Sequence, residues 1–344
     1  MNPVNLASKN KQISVVIATC DRRARLLSLL RDLDASTCPL AEVIIVDSGD
    51  DKLSPGDYSI FKGLAIQYVT SERSVCIQRN TGIKMAKSPW VLLCDDDIEI
   101  PEDYVEKLFE YANLHSEAGA ISGLWLEKEN NEWKATHPIH STRRLLWAYF
   151  FQLGIWGEIE CRDNFFNKGI KKYYKRKGNH ISRAGWPVNT DFSSDHIICP
   201  VYSLGASLVK RQWLMHNLFD EVLDRHGIGD NYGVTTSLPF PGVHVVKTTF
   251  VHHHLEPANR LKRSLQYYRR VLALDYFIKT KKRLLDNKRS RLLWSLLGNM
   301  PGFILSGNGK MAGANFKAMW KIATGKNPYY LGNKQGKKII EPAL

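Results

Sequence analysis

Residues 90–97 read Trp90-Val91-Leu92-Leu93-Cys94-Asp95-Asp96-Asp97, five residues of strand character running straight into three carboxylates. A short apolar run bounded by polar residues predicts a strand buried on both faces, the habit of parallel sheets covered by helices. Upstream, Ile13-Ser-Val-Val-Ile-Ala-Thr19 and Glu42-Val-Ile-Ile-Val-Asp47 repeat the pattern, and Ala65 to Thr70 adds a shorter strand. Between these strands, Leu26, Leu27, Leu29, Leu30 and Leu33 have helical spacing, and Ser74 to Met85 predicts a second helix. Strands alternating with helices predict an α/β fold whose ligands bind at the carboxyl ends of the strands.

The acidic residues fall where that rule wants them. Asp21 follows the first strand, Asp47 ends the second, and Asp95, Asp96 and Asp97 end the fourth. An isolated Asp after a strand also serves as a turn former or helix N-cap, so Asp21 and Asp47 carry both readings. Three adjacent carboxylates repel one another, and a bound cation is the usual reason to tolerate that. Farther on, Pro101-Glu-Asp-Tyr104 opens a helix, and Ala118 to Leu126 predicts another strand. The stretch 127–198 is less legible. Its aromatic residues (Trp147, Tyr149, Phe150, Phe151, Trp156) and basic patch, Lys168 to Lys177, suit core packing and a solvated loop, or a surface that binds an acceptor. Tyr202 to Arg211 predicts a strand running into a helix, and Val243 to Val251 a strand ending in His252-His253-His254. On a strand, His252 and His254 share one face and His253 takes the other.

The chain has 344 residues, 44% of them hydrophobic, which excludes a disordered tail or a mini-scaffold. No apolar stretch approaches the roughly 18 residues of a spanning helix. The polar residues 1–12 lack the pattern of a secretory leader, which predicts a cytoplasmic protein. Six cysteines, spread without a C-x-x-C pair, read as reduced and structural. The net charge of +14 is not evenly spread: residues 257–344 hold 19 Lys and Arg against three acids, and residues 1–256 sum to −2. In that last quarter Leu261, Leu265, Tyr268, Leu272 and Tyr276 have helical spacing among bases, and Leu292 to Leu297 and Phe303 to Leu305 follow. Basic amphipathic helices suit an anionic membrane surface; a helix packed on the rest of the protein with a solvated basic face is the other reading. Nothing resembling a nucleic-acid-binding module accompanies the bases, so no nucleic acid partner is expected.

Taken in order, several segments resemble the inverting family 2 glycosyltransferases, which have the GT-A fold. They are Ala18-Thr-Cys-Asp-Arg22, Val46-Asp-Ser-Gly-Asp-Asp51, Gln78-Arg-Asn-Thr-Gly-Ile83, Leu93-Cys-Asp-Asp-Asp97 with Pro101 beyond it, Gly205-Ala-Ser207 and Phe219-Asp-Glu221. Each is weak alone, and their order and spacing are specific. The resemblance covers about residues 13–125 and 200–256. It implies a Rossmann-like mixed sheet with helices on both faces, a catalytic domain over residues 1–256 divided near 125/126 into nucleotide-sugar and acceptor halves, and a basic helical region over 257–344.

The resemblance also implies roles. A nucleotide-sugar donor would be bound by Thr19, Asp21, Asp47, Arg79, Asp95 and Asp96, with Arg79 meeting a phosphate or bracing the aspartates. Asp97 would hold Mn²⁺ or Mg²⁺, which neutralises the departing diphosphate, and His252 would complete the metal shell. The family places its catalytic base in a Glu-Asp pair; here the matching position reads Gly229-Asp230, which makes Asp230 the candidate, with Asp220, Glu221 and Asp224 as alternatives. The implied activity is sugar transfer to a glycan or lipid-linked glycan in surface-polysaccharide or lipopolysaccharide synthesis, on the inner membrane face. A non-catalytic carbohydrate- or nucleic-acid-binding protein and a metal-dependent nucleotidyltransferase are the rival classes.

Overall fold

A computed structural model describes residues 12–239, 242–254, 261–284, 286 and 288–344. The leader-free N-terminus and the boundary at 256/257 expected from the sequence lie outside the described residues. The donor half contains β1 (Ile13–Thr19), α1 (Arg23–Asp34), β2 (Glu42–Asp47), α2 (Pro55–Tyr58), β3 (Ile66–Thr70), α3 (Val75–Met85), β4 (Trp90–Asp95), β5 (Ile98–Glu99) and α4 (Tyr104–Leu114). Next come β6 (Ala120–Glu129), β7 (Glu132–Lys134), α5 (Thr142–Phe151), β8 (Ile155–Trp156), α6 (Lys168–Lys177), β9 (His180–Ile181), β10 (Pro187–Asn189), β11 (His196–Cys199) and β12 (Ala206–Lys210). The rest is α7 (Arg211–His216), α8 (Asp230–Thr235), β13 (Val243–His253), α9 (Arg263–Thr280), α10 (Arg289–Leu305), α11 (Gly309–Ala323) and α12 (Pro328–Lys334).

The main sheet runs β11-β13-β6-β12-β4-β1-β2-β3. Its β4-β1-β2-β3 portion is parallel, as the alternation of strands and helices predicts. Beyond β4 the sheet turns mixed, because β12 runs antiparallel to both β4 and β6 while β6 and β13 are parallel. Successive side chains of β1 go to opposite layers: Val15 and Ile17 join Leu26, Leu29 and Leu30 of α1, while Val16 joins Cys76 and Ile83 of α3. The stretch 127–198 folds in part as a small three-stranded sheet, β8-β10-β9, with its own core around Leu145, Ile155, Tyr174 and Val188. Its basic patch, expected as a loop, is helix α6. All six cysteines are free.

The C-terminal quarter corrects one expectation. The helix read from Leu261 to Tyr276 is α9, and it buries most of its circumference: Tyr268, Val271, Leu272, Leu274, Tyr276 and Phe277 belong to the same core as Val16 and Ile44. Its buried charges, Arg269 and Asp275, are paired, as burial requires. Arg269 meets Asp224 at 3.1 Å and Glu341 at 2.6 Å, and Asp275 accepts from Arg289 at 2.7 Å. From Tyr268 to Ile278 this helix is built into the protein interior, with Arg270 the exposed position in that span. No described helix is long and apolar enough to cross a membrane.

Candidate active site

Strand register brings the predicted acidic residues to one edge. Thr19 pairs with Asp47 across β1 and β2, and Ala18 with Asp95 across β1 and β4, so three adjacent strands end level. Gln78 of α3 ties two of these tips together, donating to the carbonyls of Thr19 at 2.6 Å and Val46 at 2.7 Å. Asp47 and Asp21 shape the turn between them. One Asp47 oxygen accepts from the Gly49 amide at 2.7 Å and the other from the Tyr68 hydroxyl. Asp21, in the left-handed region at φ 55°, accepts from the Asp50 amide at 2.6 Å and from Arg73 at 2.8 Å.

Asp96 and Asp97 form a second group around Arg22, a residue that the sequence reading assigned no role. Arg22 donates through Nη1 to Asp96 at 2.8 Å and to Asp97 at 2.9 Å, and the Thr19 hydroxyl donates to Asp96 at 2.7 Å. Both carboxylates are buried. Burial pushes the Asp96 carboxyl up to about 6, against the Arg22 charge and with the repulsion of Asp97. Arg22 lies 74 and 75 residues before the two carboxylates it meets, so nothing local in the sequence marks it as their counter-ion.

The third group joins the two halves of the molecule. Arg79, buried on α3, donates one guanidinium nitrogen to Asp95 and the other to Asp230. It therefore braces aspartates, one of the two roles open to it. Asp230 is 7% exposed and also accepts from the Asn231 amide at 2.6 Å. Burial raises its carboxyl to about 6, even with Arg79 opposing. Gly229 sits at φ 98° with the Ala273 methyl 3.0 Å from where a β-carbon would stand, a conformation and a space that disfavour the Glu the family has there. On the other side, a methyl group at Gly205 would collide with the Asp95 carboxylate. The alternative bases are engaged elsewhere. Asp220 is held by Tyr276 and Lys281, Glu221 by Asn80 and Lys338, and Asp224 by Arg269 and Tyr329.

The histidines divide as the strand period requires, and the division moves the expected ligand by one residue. His253 pairs in register with Ile98 and Glu127, which puts its Nε2 3.5 Å from Asp97 and its Nδ1 3.1 Å from Glu127. His252 faces away, 3.9 Å from Glu99 and stacked on Trp133, and His254 meets Glu99 at 2.9 Å. Burial opposes a charge on His253, but Asp97 and Glu127 outweigh it and bring the imidazole up to about 9. Among the described residues no group of three or more His, Cys, Asp and Glu is arranged to hold an ion. The donor types of Asp97 and His253 nonetheless suit a divalent cation: a carboxylate oxygen faces an imidazole nitrogen, and Glu127 holds the other ring nitrogen. Neither Arg22 nor Glu127 is expected from local sequence; Glu127 becomes visible only through the register of β6 with β13.

In front of Asp230 opens a cleft of about 820 Å³. Trp125, Trp147, Trp156, Trp186 and Tyr202 line it, with Arg144 and Arg270 among its polar groups. Broad apolar faces with a few convergent polar groups are the make-up of a small-molecule or glycan site.

Comparison with known proteins fits this geometry. A family model described as Glycosyl transferase family 2 matches residues 14–184. An uncharacterized glycosyltransferase of Bacillus subtilis (strain 168), YwdF, is 31% identical over 144 residues, covering 40% of this chain and 50% of that protein. The chain thus spans half the length of that relative. Among solved structures, S. aureus TarS 1-349 superposes with a TM-score of 0.53 at 12% identity, covering 95% of this chain and 92% of that one. The mannosyltransferase PcManGT from Pyrobaculum calidifontis, solved with GDP-Man and Mn²⁺, gives 0.51 at 14% identity, covering 92% and 88%. The fold is GT-A-like, a mixed sheet flanked by helices. The family 2 match runs from the first strand into the small three-stranded sheet, to residue 184.

Proposed function

We propose that the protein is an inverting, metal-dependent glycosyltransferase that moves a sugar from a nucleotide-diphospho-sugar to a glycan or lipid-linked glycan, in the assembly of a cell-surface polysaccharide or lipopolysaccharide. The single observation that carries this is the Arg79 bridge, which holds Asp95 of the donor edge and Asp230 at the head of the aromatic cleft on one guanidinium. Donor and acceptor sites then meet where a base candidate stands.

The nucleoside lies against Thr19 and the Asp21–Asp47 turn, with Asp95 and Asp96 beside the ribose. Asp97 and His253 would hold Mn²⁺ or Mg²⁺, which would supply Lewis-acid stabilisation of the diphosphate. Arg22 bridges Asp96 and Asp97 and offsets their charge. An acceptor sugar stacks in the cleft with its hydroxyl toward Asp230. Asp230 accepts that hydroxyl proton as the oxygen attacks the anomeric carbon, and attack from the face opposite the leaving group inverts the configuration. A carboxyl raised to about 6 is a stronger base than an ordinary Asp and is still ionised near neutrality. Arg79 steadies the charge that remains on Asp230 before transfer.

A thermal-shift panel of UDP-, GDP- and dTDP-sugars, with and without Mn²⁺ or Mg²⁺, tests the donor site. A shift with one nucleotide class that requires the metal is expected. No shift with any donor, in folded protein, overturns the proposal. NMR of the product's anomeric proton tests inversion, which a retained configuration would exclude.

A further inference from the structure

We propose that the α10–α11 hairpin is a docking surface for an anionic lipid bilayer. The inner faces of both helices are fully used. Leu292, Ser295 and Leu296 of α10 and Ala314, Ala318 and Ile322 of α11 are buried, and Asn315 stitches the pair by donating to the Leu296 carbonyl at 2.8 Å. The outer faces carry apolar residues with nothing over them. Ile304 is 62% exposed, Leu305 80%, Phe316 63% and Trp320 60%. The connecting tip stands clear of the body: a methyl group added at Gly302, Gly307, Gly309 or Gly313 would meet no atom within 4 Å.

The charge around this face selects its partner. Residues 287–340 hold ten Lys and Arg and no Asp or Glu. On α11, Lys317 and Lys321 directly follow Phe316 and Trp320 in sequence, so a basic stripe flanks the apolar one. Exposed Trp, Phe and Leu beside lysines match the interface of a bilayer with anionic headgroups. A second copy of this chain would bring two acid-free basic faces together and is disfavoured by their repulsion. The position of α10 gives the docking a purpose. Its Asn299 lines the aromatic cleft, as does Trp147 of α5, and the exposed tip begins one turn beyond Asn299. A bilayer against the tip would thus lie near the mouth through which a lipid-linked acceptor enters. That purpose rests on the proposed function; the docking itself does not.

The full chain is sedimented with vesicles of phosphatidylcholine alone and with vesicles containing roughly one third phosphatidylglycerol. Binding to the anionic vesicles at least about tenfold above the neutral ones, released by high salt, is expected. Leu305→Asp with Trp320→Glu, both exposed positions where folding is preserved, should lower it by about tenfold or more, as should Lys317→Glu with Lys321→Glu. No binding by the parent protein, unchanged binding by both variants, or a lipid-indifferent dimer that the same variants dissolve would each overturn the docking. The donor-induced thermal shift of each variant separates the two proposals: docking lost with the shift intact removes only the docking surface, and docking present without any donor shift removes only the transferase.

Discussion

Along the donor edge, Thr19, Asp47 and Asp95 end three adjacent strands, and Asp96 and Asp97 follow in the next two positions. Each of these carboxylates is fixed by an amide, a hydroxyl or an arginine within a short span of structure. The aromatic cleft is assembled differently. Trp125 comes from β6, Trp147 from α5, Trp156 from β8, Trp186 from the loop before β10, and Asp230 from the start of α8. The contrast concerns where specificity is stored. A diphosphate and its cation demand several charges at fixed spacing, which the ends of a parallel sheet supply as a set. An acceptor sugar demands shape and flat apolar faces, which distant segments can supply one residue at a time.

The two regions meet at Asp230, so its removal should separate them most sharply. Asp230→Asn is expected to lower turnover by about 10³-fold through loss of the base, with the donor-induced thermal shift unchanged. Transfer at the parent rate would remove Asp230 from the chemistry. In the parent enzyme the base must be deprotonated, so turnover should fall as pH drops below about 6, the raised value of this carboxyl. An activity still level well below that pH would place the proton elsewhere. Next in size is Arg79, the tie between the regions. Arg79→Ala leaves Asp95 and buried Asp230 without their partner and should cost about 3 kcal/mol, read from the urea midpoint. Arg79→Lys keeps a charge but cannot span both carboxylates, so it should restore part of the stability and little of the turnover.

Within the donor edge, the histidine assignment sharpens how the cation is held. His253→Ala should weaken Mn²⁺ binding, measured by calorimetry, by about 100-fold, and Glu127→Gln by about tenfold through a loosened ring. His252→Ala, on the other face of β13, should leave metal affinity unchanged. The reverse order among the histidines would return the ligand role to His252.

The donor half was legible because its signals are local. An apolar run ending in Asp95-Asp96-Asp97 declares strand, edge and charge within eight residues. Gln78-Arg79 could be placed on a helix, though not joined to a residue 151 positions away. The sheet beyond β4 was harder, since β12 and β13 pair with strands far back in sequence and nothing local reports their direction. His252 was preferred over His253 because strand period divides the three histidines without saying which face meets Asp97; pairing of β13 with the two-residue β5 decides that. For helix α9 the choice between its two readings was hidden for a related reason. Its bases suggested a wet face, and their partners, Asp224 and Glu341 for Arg269, lie 45 and 72 residues away in sequence. The cleft had no local signature at all. Four tryptophans on four segments look like core until the fold sets them around a space.

The smallest expected effect therefore belongs to the cleft, and it tests whether specificity there is distributed. Trp147 stands at the outer mouth, 38% exposed, with its indole donating to the Gly298 carbonyl at 2.8 Å. It touches neither Asp230 nor the aspartates of β4. If the cleft binds the acceptor through several independent aromatic faces, losing one should cost about 1 kcal/mol of acceptor binding. Trp147→Ala should then raise the KM for acceptor about fivefold, with kcat and the donor-induced thermal shift close to those of the parent. A fall in kcat without a change in KM would tie Trp147 to the reacting groups instead. That result would make the cleft a rigid unit, assembled from distant segments yet as closely coupled as the donor edge.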